Sequence, residues 1–249
     1  MTTEDTRNHD SGEMELFEGE SDTKLYALGV VLAAVYGMSA LVPISGFIVA
    51  SGVVAQISLT IVIAPLFGVL LGPVKGGLFG LIGGLITAFL SMVVPSVVLI
   101  VPTVVLGPMV SGFLTGLCLN EEDSGPGGLI TAAYLVVIMA LYLIPNSAAW
   151  WFMLPYALAA FTALALQFTG FRFDRTEKKS LLYILPLTLI GTITDFSMMT
   201  MGAVYIAGIP AEVFGFVIFP AMLVERTVAT IVSAVAAGTV LYTFRDQLW

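Results

Sequence analysis

Side chains that carry chemistry are scarce in this chain of 249 residues, and each scarcity excludes a class of protein. Cys118 is the one cysteine, which excludes an intramolecular disulfide and a cysteine-ligated metal cluster. His9 is the one histidine and lies in the polar N-terminal stretch, so no histidine can act in the apolar part of the chain. A Gly-Lys-Ser/Thr phosphate loop is also missing, which excludes ATP binding by that route. We therefore expect no enzyme, no metal and no cofactor.

Charge is also scarce. Only 10% of the residues are charged, whereas 58% are hydrophobic. The apolar residues form repeated runs of about 20, the length that a helix needs to cross the ~30 Å hydrocarbon core of a bilayer. The composition predicts an all-α, polytopic transmembrane helical bundle in the cell membrane, and nothing in it indicates nucleic-acid binding.

The acidic balance of the chain belongs to its N-terminus. Residues 1–22 hold eight acidic residues and one basic residue, so they carry −7 of the total net charge of −8. A stretch with so few apolar residues and so much charge buries too little surface to fold alone. We therefore divide the chain into a disordered acidic tail, residues 1–22, and an integral membrane helical domain, residues 23–249.

Apolar runs and turn signals together predict about eight membrane spans, within a range of six to eight. The predicted spans cover residues 25–42, 55–71, 74–93, 97–118, 128–145, 149–169, 181–206 and 212–243. With both termini in the cytoplasm, the basic residues at the ends of the spans all fall on the cytoplasmic side, as expected for membrane proteins: Lys24, Lys75, Arg172, Arg175, Lys178, Lys179 and Arg245. Around Pro145, a re-entrant segment remains open as an alternative to two full spans.

Three charged residues lie inside apolar runs, where an ionisable group costs several kcal/mol unless it is paired or faces water. Counting about 1.5 Å per residue from opposite ends of their spans puts Asp195 and Arg226 both roughly 21 Å deep. An ion pair between them fits this count, with Glu225 on another face of its helix. The pair is either a structural lock or part of a substrate or ion site, and we take Asp195, Glu225 and Arg226 as candidate substrate-binding residues.

Uncharged polar and aromatic residues near the predicted outer turns complete the candidate site. Gln56 and Asn146 can orient a small polar ligand. Trp150 either belongs to the interfacial aromatic belt or forms one wall of an outward-facing pocket. We therefore add these three residues to the predicted substrate-binding set.

Small residues recur at every fourth position in two of the spans. From Gly76 to Gly84 they form a helix face without side chains, which lets a neighbouring backbone approach closely. This glycine face either packs within the bundle or forms a surface that slides during transport. In the first span, Gly29, Ala33 and Gly37 either pack within the bundle or form a docking face for a partner membrane protein.

A family resemblance lies in residues 57–117. The run ISLTIVIAPLFGVLLGPVKGGLFGLIGGLITAFL is followed by VPTVVLGPMVSGFLTGL. Together they resemble the substrate-binding S component of energy-coupling factor (ECF) transporters, a family with a Leu-x-Gly-Pro turn after its second span and a glycine-rich third span. The small-residue motif on the family's first helix has its counterpart in Ala33 and Gly37, with Gly29 one turn earlier. Family members usually have six spans, so the extra pair here falls within residues 128–169.

The resemblance implies a substrate-capture membrane subunit of an ATP-driven importer for a vitamin or another small micronutrient. Its partners would be a membrane-embedded T subunit, contacted by the first helix, and two cytoplasmic ATPases. The loop at about residues 43–56 would gate the pocket. The residues themselves leave open a self-sufficient secondary transporter or ion-coupled permease that uses Asp195, Glu225 and Arg226, and also a purely structural role for these charges.

Overall fold

The structure, a computed structural model, describes residues 10–48, 54–93, 101–119, 125–170, 172–173 and 181–248. Within these ranges helices dominate, and one two-stranded sheet interrupts them. The elements in chain order are α1 (Asp10–Ser39), β1 (Pro43–Ile48), β2 (Val54–Ser58), α2 (Thr60–Leu71), α3 (Pro73–Val93), α4 (Val101–Leu117), α5 (Gly127–Asn146), a 3-10 segment (Ser147–Met153), α6 (Leu154–Phe168), α7 (Leu181–Tyr205), α8 (Ala211–Val213), a π-helical turn (Phe214–Ile218) and α9 (Phe219–Leu248).

Four helical segments are long and apolar enough to cross a membrane: Pro73–Met92, Gly127–Phe168, Leu182–Tyr205 and Ala211–Phe244. Large apolar side chains lie exposed on their outward faces, among them Phe89, Phe161 and Val224. Water solvates such a surface poorly, whereas lipid solvates it well. The chain therefore has the helices of a membrane protein, as predicted, while the count of eight spans and the side on which the termini lie remain predictions.

The first helix begins earlier than the composition indicates. α1 starts at Asp10, inside the acidic stretch that is predicted to be disordered, so residues 10–22 are helical in this structure. Residues 1–9 lie outside the described residues. Once a helix is nucleated, each added residue gains a hydrogen bond at low cost, so the apolar part of α1 can extend the helix into a polar stretch. The boundary between tail and membrane domain stays a prediction.

The segment after α1 is a β-hairpin rather than the start of a helix. β1 and β2 pair antiparallel, with Gly46 opposite Gln56. The prediction of a span over residues 55–71 is therefore wrong at its N-terminal end, because residues 55–58 belong to β2. β-branched residues at Val54 and Ile57, with Gln56 between them, favour an extended conformation over a membrane helix.

α2 is too short to cross a bilayer by itself. Its twelve residues give about 18 Å, and every one of them is buried. The Val62 carbonyl accepts a hydrogen bond of 2.6 Å from Ser233 on α9, and a Cβ at Gly191 on α7 would contact Pro65. α2 is thus a half-length helix enclosed by the longer ones, and the hairpin precedes it.

α3 and α4 pack with their backbones in contact. A Cβ at Gly80 would meet the backbone of Pro108, and a Cβ at Gly84 would lie 2.7 Å from the Val105 carbonyl oxygen. The glycine spacing of α3 therefore serves packing inside the chain, which is one of the two alternatives that the sequence leaves open. A sliding role for this surface remains a prediction.

α5 and α6 form an antiparallel helical hairpin. The Gly128 amide at the start of α5 donates a hydrogen bond of 2.9 Å to Oε1 of Gln167 at the end of α6. The chain reverses in the 3-10 segment, where Ala149 has the non-helical angles φ −116° and ψ 44°. The prediction of two separate helices over 128–169 is thereby confirmed, and whether both cross the membrane remains a prediction.

Candidate functional site

Asp195 on α7 and Arg226 on α9 lie next to each other in the interior of the bundle. Asp195 and Arg226 are 5% and 3% exposed, and Oδ2 of Asp195 lies 3.7 Å from Nη1 of Arg226. Nη1 also donates a hydrogen bond of 3.3 Å to the Thr192 carbonyl oxygen. The ion pair that depth counting indicates is therefore present in the structure. We refer to it below as the Asp195–Arg226 pair.

A row of hydroxyl groups on α7 leads to this pair. Thr188 and Thr192 are four residues apart and therefore share a helix face, which Asp195 continues. The Thr188 hydroxyl donates to the Thr230 carbonyl oxygen at 3.1 Å, and the hydroxyls of Thr192 and Thr230 lie 3.0 Å apart. These bonds fix the register of α7 against α9, so they hold the two charges at one level.

Two further polar residues of α7 contact tyrosines on α5 and α6. The Tyr134 hydroxyl on α5 lies 2.6 Å from Oγ of Ser197, and the Tyr156 hydroxyl on α6 lies 2.6 Å from Oγ1 of Thr200. The sequence alone did not single out these two tyrosines as partners of α7. The available signal was the run TITDFSMMT at 192–200, whose polar residues lie on several faces of one helix. Such a helix must be surrounded by protein rather than by lipid, which makes α7 the central helix.

α4 covers the Asp195 side of the pair. A Cβ at Gly107 would come within 2.9 Å of Oδ1 of Asp195, so the absence of a side chain there makes room for the carboxylate. On the other side, the Phe196 ring centroid lies 4.3 Å from the Arg226 guanidinium carbon, a cation–π contact. The carboxylate is thus enclosed by helix backbone, whereas the guanidinium lies against an aromatic face.

Part of the Arg226 guanidinium has no hydrogen-bond partner among the described residues. Nε and Nη2 are buried, and neither has a hydrogen-bond partner among the described residues. The other ionisable groups that interact with it electrostatically are Glu225, Tyr36 and Tyr156. A buried donor without a partner costs about 1–3 kcal/mol, and more when the group is charged. Two donors of the buried guanidinium are therefore left without a hydrogen bond from the described residues.

A lateral groove of about 780 Å³ lies beside the Asp195–Arg226 pair and has Arg226 in its lining. It runs between α6 and α9, and α7 forms its floor. The lining is apolar apart from Arg226 and three threonines, Thr162, Thr227 and Thr230. Exposed residues such as Leu158 form the rim, so the groove opens on the outer surface of the bundle. Arg226 is the one charged residue among the described residues that line the groove.

Of the remaining candidate residues, Glu225 adjoins the Asp195–Arg226 pair, and the other three lie away from it. Glu225 is half-buried next to Arg226, Asn146 is buried at the end of α5, and Trp150 is 59% exposed on the 3-10 segment. Gln56 lies on β2, and its side chain is outside the described part of the structure. In that described part, no hydrogen bond or ion pair joins Asn146 or Trp150 to the pair. A substrate-binding role for these four residues stays a prediction.

The small-residue face of α1 packs inside the chain. Ala33 is 1% exposed, and added Cβ atoms at Gly29 and Gly37 would overlap the side chains of Phe79 and Ile86 on α3. The prediction that these three residues form an exposed partner-docking face is therefore wrong, and the alternative of packing within the bundle is the one observed. Small residues at four-residue spacing indicate close helix packing, but they do not identify the neighbouring helix.

Comparison of the chain with protein-family models, curated proteins and solved structures gave no match. The geometry of the Asp195–Arg226 pair and the lateral groove is therefore the basis for a functional assignment.

Proposed function

We propose that this protein is the substrate-capture membrane subunit of an ATP-driven, multi-subunit importer for a vitamin or another small micronutrient. The observation that carries the proposal is the buried Asp195–Arg226 pair, in which two guanidinium nitrogens lack a partner among the described residues. Ionisable residues at such depth are expensive and usually serve a substrate or ion. A purely structural lock needs the ion pair, but it gains nothing from unused donors.

In this proposal the chain crosses the membrane about eight times, within a range of six to eight, and has both termini in the cytoplasm; α2, which is too short to cross alone, counts as a crossing only together with the β1–β2 hairpin before it. Antiparallel packing of α3 on α4, of α5 on α6 and of α7 on α9 supports the alternating direction of the spans. The alternation brings Lys24, Lys75 and Arg172 to one end of the bundle, in agreement with the distribution of basic residues in cytoplasmic loops. Three of the other basic residues used in the prediction lie outside the described residues: Arg175, Lys178 and Lys179.

The partner subunits belong to the proposal through the resemblance of residues 57–117 to ECF S components. A membrane-embedded T subunit and two cytoplasmic ATPases would supply the energy, since the sequence has no phosphate loop. Docking through Gly29, Ala33 and Gly37 is not part of the proposal, because α3 occupies that face. The β1–β2 hairpin corresponds to the segment that the resemblance implies as a gate.

A secondary transporter or ion-coupled permease is the second candidate function. It is favoured by Glu225, a half-buried carboxylate directly beside Arg226. Two carboxylates that share one guanidinium could exchange partners as a coupling ion binds and leaves. This candidate differs from the first in one measurable respect, because it needs no other subunit.

The test uses the molecule that the protein itself carries. Native mass spectrometry of the protein, purified in mild detergent, should show a co-purified small molecule, which is then extracted and labelled. Liposomes that contain the protein alone should bind the label with saturation but should not accumulate it. Accumulation by the protein alone would assign it to the second candidate function, and the absence of any saturable binding would contradict both.

A further inference from the structure

Two irregular helical segments, the 3-10 segment (Ser147–Met153) and the π-helical turn (Phe214–Ile218), contact each other at one end of the bundle. Nε1 of Trp151 donates a hydrogen bond of 3.2 Å to the Gly215 carbonyl oxygen, and a Cβ at Gly215 would lie 2.6 Å from the Trp151 ring. In the described part of the chain, this is the one hydrogen bond between the two segments. Their contact therefore depends more on aromatic packing than on hydrogen bonds.

An aromatic cluster extends from this contact to the Asp195–Arg226 pair. The ring centroid of Phe152, in the 3-10 segment, lies 5.0 Å from that of Phe214 in the π-helical turn and 6.2 Å from that of Phe196 on α7. Phe196 in turn covers the guanidinium of Arg226. All three rings are buried. They therefore form a continuous contact between the irregular segments and the buried charges.

The guanidinium is closed off in this structure. Nε and Nη2 of Arg226 are buried, and they lack a hydrogen-bond partner among the described residues. A buried charged donor without a partner is costly, so the closed arrangement is under strain at this point. A molecule can form hydrogen bonds with these two atoms only after part of the protein has moved.

The π-helical turn is the element whose movement would uncover the pair. Further along, α9 is tied to α7 by the hydroxyls of Thr192 and Thr230, which lie 3.0 Å apart. A π-helical turn holds about one residue more than an α-helical turn, and such turns occur frequently at functional sites. If the turn became α-helical, its first residues would rotate by about 100° around the helix axis, which would carry Phe214 away from Phe152.

We propose that Phe152 and Phe214 form a gate over the Asp195–Arg226 pair, that the gate is closed in this structure, and that unwinding of the π-helical turn opens it to a small molecule. This inference rests on the proposed function, in that it takes the pair as the substrate site and adds how that site is reached. Entry is placed at the gate and not in the lateral groove, because Nε and Nη2 of Arg226 stay buried beside the groove.

The test measures how fast a small thiol reagent reaches a position directly under the gate. Thr200 on α7 is buried, and its Oγ1 lies 2.6 Å from the hydroxyl of Tyr156, whose ring centroid lies 6.2 Å from that of Phe152. The full-length Thr200→Cys protein in lipid nanodiscs is treated with 2-aminoethyl methanethiosulfonate, and mass spectrometry of its peptides gives the rate of labelling.

The native cysteine is the internal control for this measurement. Cys118 is buried, and its Sγ lies 3.3 Å from Oγ1 of Thr131 near the start of α5, whereas the gate lies beyond the end of α5. Labelling of Cys118 therefore reports opening of the whole bundle. We expect slow labelling at position 200 and none at Cys118 on the same timescale.

A disulfide across the gate should slow this labelling. A Cβ at Gly215 would lie 3.3 Å from Cβ of Ala149, close to the separation in a disulfide, so oxidised Ala149→Cys/Gly215→Cys joins the two irregular segments. Gly77→Cys/Phe113→Cys is the matched control, with 3.2 Å between the same atoms of α3 and α4. Relative to Thr200→Cys alone, the first disulfide should slow labelling at position 200 about tenfold and the second less than about twofold.

Variants of the π-helical turn should have the opposite effect. Deletion of Val217 removes the extra residue of the turn, so labelling at position 200 should become about tenfold faster while Cys118 stays unlabelled. Phe214→Leu removes one ring of the gate and should act in the same direction. Phe216→Leu is its control, because Phe216 belongs to the same turn but is 72% exposed.

Four results would each overturn the inference: equal effects of the two disulfides, equal effects of Phe214→Leu and Phe216→Leu, no labelling at position 200 in any variant, or labelling there that rises only together with labelling of Cys118. If one of these occurs while native mass spectrometry still shows a co-purified molecule that depends on the Asp195–Arg226 pair, the inference falls and the proposed function stands.

Discussion

The α3–α4 interface is made of backbone, whereas the α7–α9 interface is made of side chains. At the first, Gly80 and Gly84 bring α3 against the backbone of α4. At the second, threonine hydroxyls and the Asp195–Arg226 pair join the two helices. Both interfaces join antiparallel helices in the same bundle, so their difference does not come from topology.

The two interfaces show two kinds of polar group. Some have all their hydrogen-bonding atoms paired and stabilise the fold, whereas others keep donors that no contact among the described residues uses. In lipid, close approach of small residues supplies van der Waals contact, and a hydrogen bond between helices adds about 0.6 kcal/mol on average. The threonines of α7 and α9 fit this scale, since their hydroxyls are paired. The pair does not fit it, because Nε and Nη2 of Arg226 lack a partner among the described residues. These two charged donors set the pair apart from the threonines of the same interface.

The largest expected effect is loss of the arginine alone. Arg226→Gln leaves the Asp195 carboxylate buried without its cation, which should lower the free energy of unfolding by about 3–5 kcal/mol. Thermal unfolding in detergent, followed by tryptophan fluorescence, should show Tm lowered by roughly 10 °C. The charge-neutral variant Asp195→Asn/Arg226→Gln should recover most of that loss. A double variant as unstable as the single one would mean that the two charges are not coupled.

The next largest effect tests the backbone interface. A Cβ at Gly80 would meet the backbone of Pro108, so Gly80→Ala should cost about 2 kcal/mol through forced separation of α3 and α4. Gly77→Ala is the control in the same helix, because its Cβ would lie 3.2 Å from Cβ of Phe113 and 3.6 Å from the nearest backbone atom, so a shift of a few tenths of an ångström accommodates it. The same unfolding assay should give Tm lowered by roughly 5 °C for the first variant and little changed for the second. Equal shifts would show that backbone contact does not limit this interface.

The smallest effect concerns the uncharged part of the α7–α9 interface. Thr192→Val and Thr230→Val each remove one partner of the 3.0 Å hydroxyl pair. A double-mutant cycle on the free energy of unfolding should give a coupling of about 0.6 kcal/mol. A coupling of several kcal/mol would place these threonines in the same class as the charged pair and would remove the contrast between them.

Hydropathy and depth counting predict the features of the molecule that depend only on position along the chain. The apolar runs located the long helices, since a bilayer sets their length. Counting from opposite ends brought Asp195 and Arg226 to one level, and the structure places them together. The reversal near Asn146 was also readable, because proline and asparagine interrupt an otherwise continuous apolar pattern.

Features that depend on which helix or strand surfaces pack together could not be predicted from the sequence. Residues 55–58 directly precede a long apolar run, and their pairing with β1 makes them a strand instead of its continuation. The spacing of Gly29, Ala33 and Gly37 indicates close packing equally well against α3 or against another protein. The hydroxyls of Tyr134 and Tyr156 have no sequence spacing that relates them to α7, because their partners lie on a different helix.

The central claim is that the Asp195–Arg226 pair is a ligand site and not only a lock between helices. Native mass spectrometry of the parent protein and of Asp195→Asn/Arg226→Gln, both purified in the same mild detergent, tests it most directly. We predict that the parent protein carries a small molecule and that the double variant, folded with a Tm close to the parent value, has lost it. A double variant that retains the molecule to the same extent would contradict the claim and leave the pair as a structural lock.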